Sequence, residues 1–210
     1  MSLLDELLSK RRSIRKYKAD IPPAEWIEKM IRCAAKAPSP SNSQPVRFIR
    51  IDSDKPRDSL SRAMADGHQK LLCAWEKSRS PKRLRNRINA YRRFSEFMFT
   101  APVLFAVGTI VDFDGFSKKL FEAKLIEQDS RGDIDMDITT GLALKGFILK
   151  GEELGVGSCI LTAPLVFIPN AEEILEIKEI RIKCFITTGF PDEIPPPIDK
   201  KKTAEIYRKI

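Results

Sequence analysis

Residues 37–51 have the sequence APSPSNSQPVRFIRI, in which a proline-rich polar loop passes directly into an apolar stretch. Proline and the residue before it disfavour an α-helix, so Pro38 should end the helical pattern that precedes the loop. That pattern places apolar side chains three and four residues apart, at Trp26, Ile27, Met30, Ile31, Ala34 and Ala35. Residues 47–51 are a strand candidate. The segment therefore predicts a helix, a stiff polar loop and a strand.

The rest of the chain adds helices and strands in mixed order. Apolar periodicity predicts helices at residues 3–8, 56–99, 118–126 and 138–154, and strands at residues 103–111 and 182–188. Residues 159–161 are expected to lead into a loop, and the proline- and lysine-rich tail after Gly189 to wrap over a surface rather than to pack as a helix. With no internal repeat or linker, we expect one domain over residues 1–210.

The composition is that of a globular protein, with 210 residues, 42% of them hydrophobic and 31% charged. The longest apolar stretch, residues 101–111, is far shorter than the roughly 18 residues of a membrane span. At the N-terminus the basic residues follow the apolar ones, which is the reverse of a secretory signal. A cytoplasmic protein is therefore expected.

The cysteines and the histidine do not form a recognisable metal-binding or catalytic pattern. The four cysteines, Cys33, Cys73, Cys159 and Cys184, are far apart, which argues against a metal site or a disulfide scaffold. His68 is the single histidine, and a lone histidine in a polar stretch is usually a surface residue. We therefore expect no metal and no catalytic side chain, and infer that a bound organic cofactor supplies the chemistry.

Residues 11–15, RRSIR, are the first of three candidate binding segments. The net charge of +8 favours phosphate-bearing partners in general, and guanidinium groups form forked, charge-assisted hydrogen bonds to phosphate. A serine hydroxyl between the arginines adds a further donor. The alternative for this segment is a solvated basic turn.

The second and third segments are neutral. In residues 37–45, prolines stiffen a loop whose Ser, Asn and Gln side chains suit a ribityl chain or the polar edge of a flavin, although an ordinary helix-to-strand connection has the same composition. Residues 154–159, LGVGSC, follow a helix that contains three glycines, and their own glycines let the chain pass close to a flat ring. The alternative there is a plain helix stop with Gly155 as its C-cap.

Taken in this order, the segments resemble the nitroreductase family. The motifs that carry the resemblance are RRSIR at 11–15, APSPSNSQP at 37–45, LGVGS at 154–158 and GFP at 189–191. The resemblance covers residues 8–51 and 138–205 and is weak over residues 55–99. It implies that residues 56–99 form a variable helical lid insertion within the single domain. It implies an α+β fold with a central, mainly antiparallel sheet flanked by helices, in an intertwined homodimer.

The resemblance also assigns binding roles by position. The FMN phosphate and the neighbouring flavin edge would be held by Arg11, Arg12, Ser13 and Arg15. The ribityl chain and ring would meet Ser39, Pro40, Asn42 and Gln44. Backbone N–H groups would reach the ring from Ile160, Leu161 and Thr162. A late basic residue near the phosphate corresponds to Lys200 or Lys202.

Cofactors and partners follow from the same resemblance. It implies bound FMN at the interface of a homodimer, NADH or NADPH as a transient donor, and a small acceptor such as a nitroaromatic or a quinone, in a ping-pong reaction. Two departures bear on the substrate class. Val46 stands where the family usually has a large aromatic residue, and Thr139, Thr140 and Lys145 replace an alanine–asparagine pattern.

Two alternatives remain open. The same fold can carry other flavin chemistry, namely dehalogenation, flavin fragmentation or azoline oxidation. A nucleic-acid-binding protein is the alternative of a different class, because residues 78–94 are basic, contain no acidic residue and include Tyr91 and Phe94. We favour a solvated helix face near the active-site entrance for this run, and expect neither nucleic acid nor a membrane as a partner.

Overall fold

The computed structural model of the chain describes residues 2–111, 113–127 and 132–210. The strands are β1 (Val46–Arg50), β2 (Val103–Ile110), β3 (Gly157–Leu161) and β4 (Ile180–Gly189). The α-helices are α1 (Leu3–Lys10), α2 (Ala24–Ala34), α3 (Asp54–Lys77), α4 (Lys82–Arg93), α5 (Phe116–Glu122), α6 (Gly132–Glu153), α7 (Pro164–Phe167), α8 (Ala171–Ile174) and α9 (Thr203–Ile206). Short 3-10 helices lie at Pro40–Asn42 and Glu96–Phe99.

The four strands form one sheet in the order β1-β2-β4-β3, and every neighbouring pair is antiparallel. The two central strands are therefore β2 and β4, while β1 and β3 are the edges. The register between β2 and β4 shifts between Val107 and Gly108. A Cβ atom at Gly108 would lie 2.1 Å from the carbonyl oxygen of Arg181, so only glycine allows this close approach.

Helices cover both faces of the sheet. Val103, Phe105 and Val107 of β2 pack on one face with α2 and α6, and the alternate residues Leu104 and Ala106 pack on the other with α3, α7 and α8. Because both faces are covered, β2 is buried at every position but its last, which explains its unbroken apolar sequence. The predicted α+β fold with an antiparallel sheet between helices is confirmed.

Two of the three glycines of α6 allow close contact with α2. A Cβ atom at Gly146 would lie 2.9 Å from the carbonyl oxygen of Cys33, and one at Gly151 would lie 2.8 Å from Cε of Met30. The two helices therefore meet backbone against backbone at Gly146, and the Met30 side chain occupies the space at Gly151. Gly141 has no atom within 4 Å of its would-be Cβ. Gly155 has φ +73° and ends the helical segment as a C-cap, as expected.

Two expectations about local structure were wrong. Residues 159–161 belong to β3 and are not the start of a loop, because pairing with β4 stabilises a strand that is too short to show a pattern. The helix expected from residue 138 begins at Gly132. The tail contains the one-turn helix α9, which has no buried residue and is held by a cap between Lys202 and Glu205.

Candidate functional site

The segment after α1 lies along the open edge of β3. The backbone N–H of Ile14 donates to the carbonyl oxygen of Ser158 at 3.1 Å, and Ser13 and Ser158 form a parallel bridge. Ile14 itself is buried against Gly157, where a Cβ atom would lie 2.5 Å from Cγ1 of Ile14. From the sequence, the glycines of residues 154–159 were predicted to allow the close approach of a flat ring. At Gly157 the missing side chain instead makes room for Ile14 of the arginine segment.

Further contacts anchor the same segment to the end of β4. The Tyr17 hydroxyl donates to the carbonyl oxygen of Ile14 at 2.6 Å and lies 2.8 Å from the hydroxyl of Thr187. Burial raises the pKa of Tyr17, so this phenol stays protonated. The backbone N–H of Lys18 donates to the carbonyl oxygen of Phe190 at 2.9 Å, and Glu193 accepts from the N–H of Lys16 at 3.0 Å. The backbone of residues 13–18 is thus fixed.

Two clefts border this edge of the sheet. A small one of about 70 Å³ is lined by Arg11, Arg12, Ser13, Ile148, Glu152, Val156, Ser158 and Ile160. A larger one of about 440 Å³ is lined by Arg15, Tyr91, Phe94, Ser95, Cys159, Ile160, Leu161, Thr162 and Ala163. Ile160 lines both, so they meet along β3. Because the Ser158 carbonyl points away from β4, alternation directs the backbone of Ile160 outward as well.

The three arginines have different environments. Arg12 donates through Nη1 to the carbonyl oxygens of Ser9 at 2.7 Å and Arg11 at 2.9 Å, so its guanidinium caps α1. Arg11 faces the small cleft near Glu152, whose pKa is raised by burial. Arg15 faces the large cleft. The structure therefore leaves Arg11 and Arg15 directed into the clefts and uses Arg12 within the fold.

Cys159 also lines the large cleft, and sequence reasoning gave it no role there. Burial raises the pKa of its thiol, so the thiol is protonated at neutral pH. A protonated, buried thiol is a weak nucleophile. The side chain serves as part of the cleft wall.

The loop at residues 37–45, which carries the second set of predicted residues, has a strained backbone and hydrogen bonds among its own residues. Ser41, Asn42 and Gln44 have φ of 50°, 54° and 46°, a region that non-glycine residues rarely adopt. The Ser39 hydroxyl accepts from the N–H of Gln44 at 2.9 Å, and the Gln44 amide donates to Asn42 at 3.3 Å. Pro40 begins the 3-10 turn of this loop. Such strain is common at functional loops.

This loop and the arginine segment lie on opposite edges of the sheet. The loop leads into β1, whereas the arginines follow β3, and three strand spacings, roughly 14 Å, separate the two edges. They also lie at opposite ends of the central strands, since Val46 pairs with Thr109 while Gly157 pairs with Gly189. Within one chain the structure does not bring Ser39, Pro40, Asn42 and Gln44 to Arg11, Ser13 and Arg15.

The tail lysines are exposed. Lys200 precedes α9, and the backbone N–H of Lys202 donates to Glu205 at 2.8 Å to cap that helix. The tail meets the arginine segment earlier, where Arg12 Nε donates to the carbonyl oxygen of Pro196 at 3.4 Å. Neither lysine side chain is brought to the clefts by a contact among the described residues.

The helical insertion supplies residues that sequence reasoning did not assign to the site. Tyr91 and Phe94 at the end of α4, with the following Ser95, line the large cleft opposite β3. Their signal in the sequence was the presence of two aromatic residues inside a basic run. Tyr91 also lines an adjoining cavity of about 490 Å³ between α3, α4 and α7.

Comparison with known proteins agrees with this arrangement. Residues 8–190 match the nitroreductase family. The chain belongs to that family. It is therefore a flavin-dependent oxidoreductase, and the resemblance noted in the sequence is confirmed.

Solved structures of other nitroreductase-family proteins share the fold. A BluB-like flavoprotein from Clostridium difficile 630 superposes with a TM-score of 0.83 at 28% identity, over 100% of this chain and 99% of that one. An iodotyrosine deiodinase bound to FMN and 3-iodo-L-tyrosine has a TM-score of 0.70 at 24% identity, over 96% of each chain. The NADPH:FMN oxidoreductase of Vibrio harveyi, complexed with NAD+, has a TM-score of 0.70 at 15% identity, over 99% and 77%.

Among residues 2–111, 113–127 and 132–210, no group of three or more His, Cys, Asp or Glu is placed to hold a metal ion. In the same described part of the chain, every helix falls short of the length or apolar character that a membrane span requires.

Proposed function

We propose that the chain is an FMN-dependent oxidoreductase that takes electrons from NADH or NADPH and passes them to a small oxidised acceptor, such as a nitroaromatic or a quinone, in a ping-pong reaction. The observation that carries the proposal is the pair of clefts that meet at Ile160, with Arg11 and Ser13 at one end and Arg15 at the other. This is the charge distribution that a phosphate-bearing, planar cofactor requires.

The residues present fit FMN. Arg11 and Ser13 supply charged and neutral donors at the small cleft, where the phosphate would be held. The outward backbone of Ile160 and the end of β3 present main-chain donors to the larger cleft, where a ring system would lie. Arg15 adds positive charge at that cleft. FMN, when bound, supplies the hydride-accepting and electron-donating chemistry.

The chain's own groups act by position and charge. Arg15 favours negative charge beside the cleft, and the fixed backbone of residues 13–18 holds that arginine in place. Tyr17 and Cys159 remain protonated because burial raises the pKa of each. Among the described residues that line the large cleft, none is Asp, Glu, His or Lys.

A homodimer would complete the site. The strained loop with Asn42 and Gln44 lies on the opposite edge of the sheet, so a second copy must supply it if it meets the same cofactor. Apolar side chains are exposed along α6 at Ile134, Ile138 and Leu142. A contiguous exposed apolar stripe is typical of a protein interface. Lys200 and Lys202 on the exposed tail would then reach the partner's phosphate.

The absorbance spectrum of the purified protein tests this proposal. We expect a flavin spectrum that is bleached by NADH or NADPH under anaerobic conditions and restored by a nitroaromatic or a quinone. Protein that purifies without flavin and takes up no FMN on soaking would contradict the cofactor. Bound flavin that is bleached by dithionite but by neither nucleotide would contradict the donor alone.

The alternative is another flavin chemistry on the same fold, and the similarity to a BluB-like flavoprotein at 28% identity is the observation in its favour. Mass spectrometry of the flavin after anaerobic reduction and exposure to air separates the two. Intact FMN supports electron transfer to an acceptor, whereas a fragmented flavin supports the alternative. An absence of salt-sensitive binding to DNA or RNA would remove the nucleic-acid function.

A further inference from the structure

The helix α4 carries an apolar stripe that the protein does not bury. Leu84, Ile88 and Tyr91 recur at intervals of four and three residues, so they share one face of the helix. In a helix packed on a core such a stripe is covered. Here α4 has no buried residue, and Leu84 and Tyr91 are 42% and 57% exposed. The stripe therefore lacks a full protein partner.

The stripe forms the wall of the cavity of about 490 Å³ next to the large cleft. Leu71 of α3 and Val166 and Phe167 of α7 form the other walls. The contact between α3 and α7 is tight, because a Cβ atom at Gly67 would lie 1.9 Å from the carbonyl oxygen of Phe167. The cavity therefore has a closely packed base, and its wall on α4 presents exposed apolar side chains that a ligand can cover.

The cavity opens to the proposed cofactor cleft. Tyr91, Thr162 and Ala163 line both spaces. A molecule with an apolar body in the cavity would therefore present one end to the cleft along β3. That arrangement is expected of the electron acceptor and not of a ligand that binds at a remote site.

The described lining of the cavity contains a positively charged side chain and no negatively charged one. Arg87 lines it, and of the described residues that line the cavity or the cleft, none is Asp or Glu. Two other arginines of α4 are engaged elsewhere: Arg92 pairs with Glu96 at 3.0 Å, and Arg85 lies over the ring of Trp75. Arg87 forms no ion pair with any residue that the structure describes. An apolar cavity with one available guanidinium favours a ligand that is apolar and anionic.

The geometry points to an amphipathic anion as the acceptor: an aromatic or other apolar body between α3, α4 and α7, with a carboxylate or sulfonate on Arg87. This inference rests on the proposed function and adds the substrate class. A zwitterionic amino acid fits less well, because its ammonium group would meet no carboxylate in the described lining.

Equilibrium binding tests the inference without electron transfer. The holoprotein is titrated with 2-naphthoate and with the neutral 2-naphthalenemethanol at low ionic strength. We expect the anion to bind about fivefold more tightly, as one charge-assisted contact with an exposed arginine allows, and the difference to shrink as salt is added. Arg87→Gln should abolish the preference while leaving the neutral compound unaffected, and Arg87→Lys should retain part of it.

Lys82→Gln is the matched control, since it removes the same charge from α4 at a residue outside the cavity lining. It should keep the preference. Equal binding of the two compounds, or a preference that survives in Arg87→Gln, overturns the inference. If the anion binds through Arg87 but neither nucleotide reduces the flavin, the binding class stands and the proposed donor fails, so the two failures are distinguishable.

Discussion

The segment at residues 11–18 and the helix α4 are both rich in arginine, yet the fold holds them in opposite ways. The first is bonded to β3 through Ile14 and to β4 through Tyr17. The second has no buried residue, and its apolar side chains face a cavity. Arginine content alone does not separate the two. Backbone anchoring does: it holds the first region in place, as the proposed bound flavin requires, whereas the exposed face of α4 suits the exchanging ligand that we propose for the second.

The largest effect should come from the anchored region. Arg11→Ala combined with Arg15→Ala removes two charged contacts, and we expect the affinity for FMN to fall by about a hundredfold or more. The protein should purify colourless and regain little flavin on soaking, as measured by absorbance. Lys18→Ala is the control, because its exposed side chain can be removed while its backbone hydrogen bond to Phe190 remains. A double variant that purifies yellow would refute the assignment of these arginines.

A substitution in α3, beneath α4, should lower the stability of the region around α4 without affecting flavin binding at residues 11–18. Gly67→Ala places a methyl group against the Phe167 carbonyl and should lower the free energy of unfolding by about 1–3 kcal/mol through overpacking. Urea denaturation measures the loss, and the flavin content of the folded variant should stay unchanged. Lys70→Ala, an exposed position of the same helix, should do neither. A loss of flavin in Gly67→Ala would show that the two regions are not independent.

Tyr17→Phe removes the hydroxyl that anchors the arginine segment. Because the Ile14 carbonyl and the Thr187 hydroxyl then lose a partner, we expect a loss of about 1–2 kcal/mol in the free energy of unfolding. FMN should also bind more weakly, since Arg11 and Arg15 are less well positioned. Tyr207→Phe, which alters an exposed tail residue, is the comparison by thermal denaturation. Unchanged FMN affinity would mean that anchoring does not matter for binding.

The smallest expected effect is a loss of stability at alkaline pH that comes from a buried cysteine and not from an exposed one. Burial raises the pKa of Cys184 from 9.0 to about 12. The unfolded chain therefore releases the thiol proton first, and stability falls as pH rises from about 9 toward 12. At pH 10 this thiol should account for about 1 kcal/mol of the loss. Cys184→Ala should flatten the pH dependence of the urea midpoint, whereas Cys73→Ala, at an exposed site, should not.

The sequence predicted the parts of the fold that depend on local pattern. The helix before Pro38 and the strand at Val103–Ile110 follow from apolar periodicity and from proline geometry, and both are present. The strand β3 was missed because its five residues become a strand only by pairing with β4, which is 30 residues distant at Ser158 and Thr188. Pairing between distant segments leaves no local signal in so short a stretch.

The candidate site was predictable in composition and not in arrangement. The arginines, Ser13 and the backbone of residues 160–162 were identified. Arg11 and Ser13 do border the small cleft, Arg15 borders the large one, and Ile160 borders both. Sequence reasoning could not show that Arg12 is used to cap α1, since that depends on where the guanidinium finds carbonyl groups. Nor could it show that Tyr91 and Phe94, at the end of α4, line the cleft opposite β3, because that placement depends on tertiary structure.

The loop lies on one edge of the sheet and the arginines lie on the other. This placement predicts that two different inactive variants can complement each other. If two chains share each flavin, a chain without Arg11 and Arg15 still carries a sound Asn42–Gln44 loop, and a chain with a damaged loop still carries sound arginines. Co-expression of the two inactive variants should then restore about one site in four through mixed dimers. Two lesions in the same polypeptide would show no such mutual rescue.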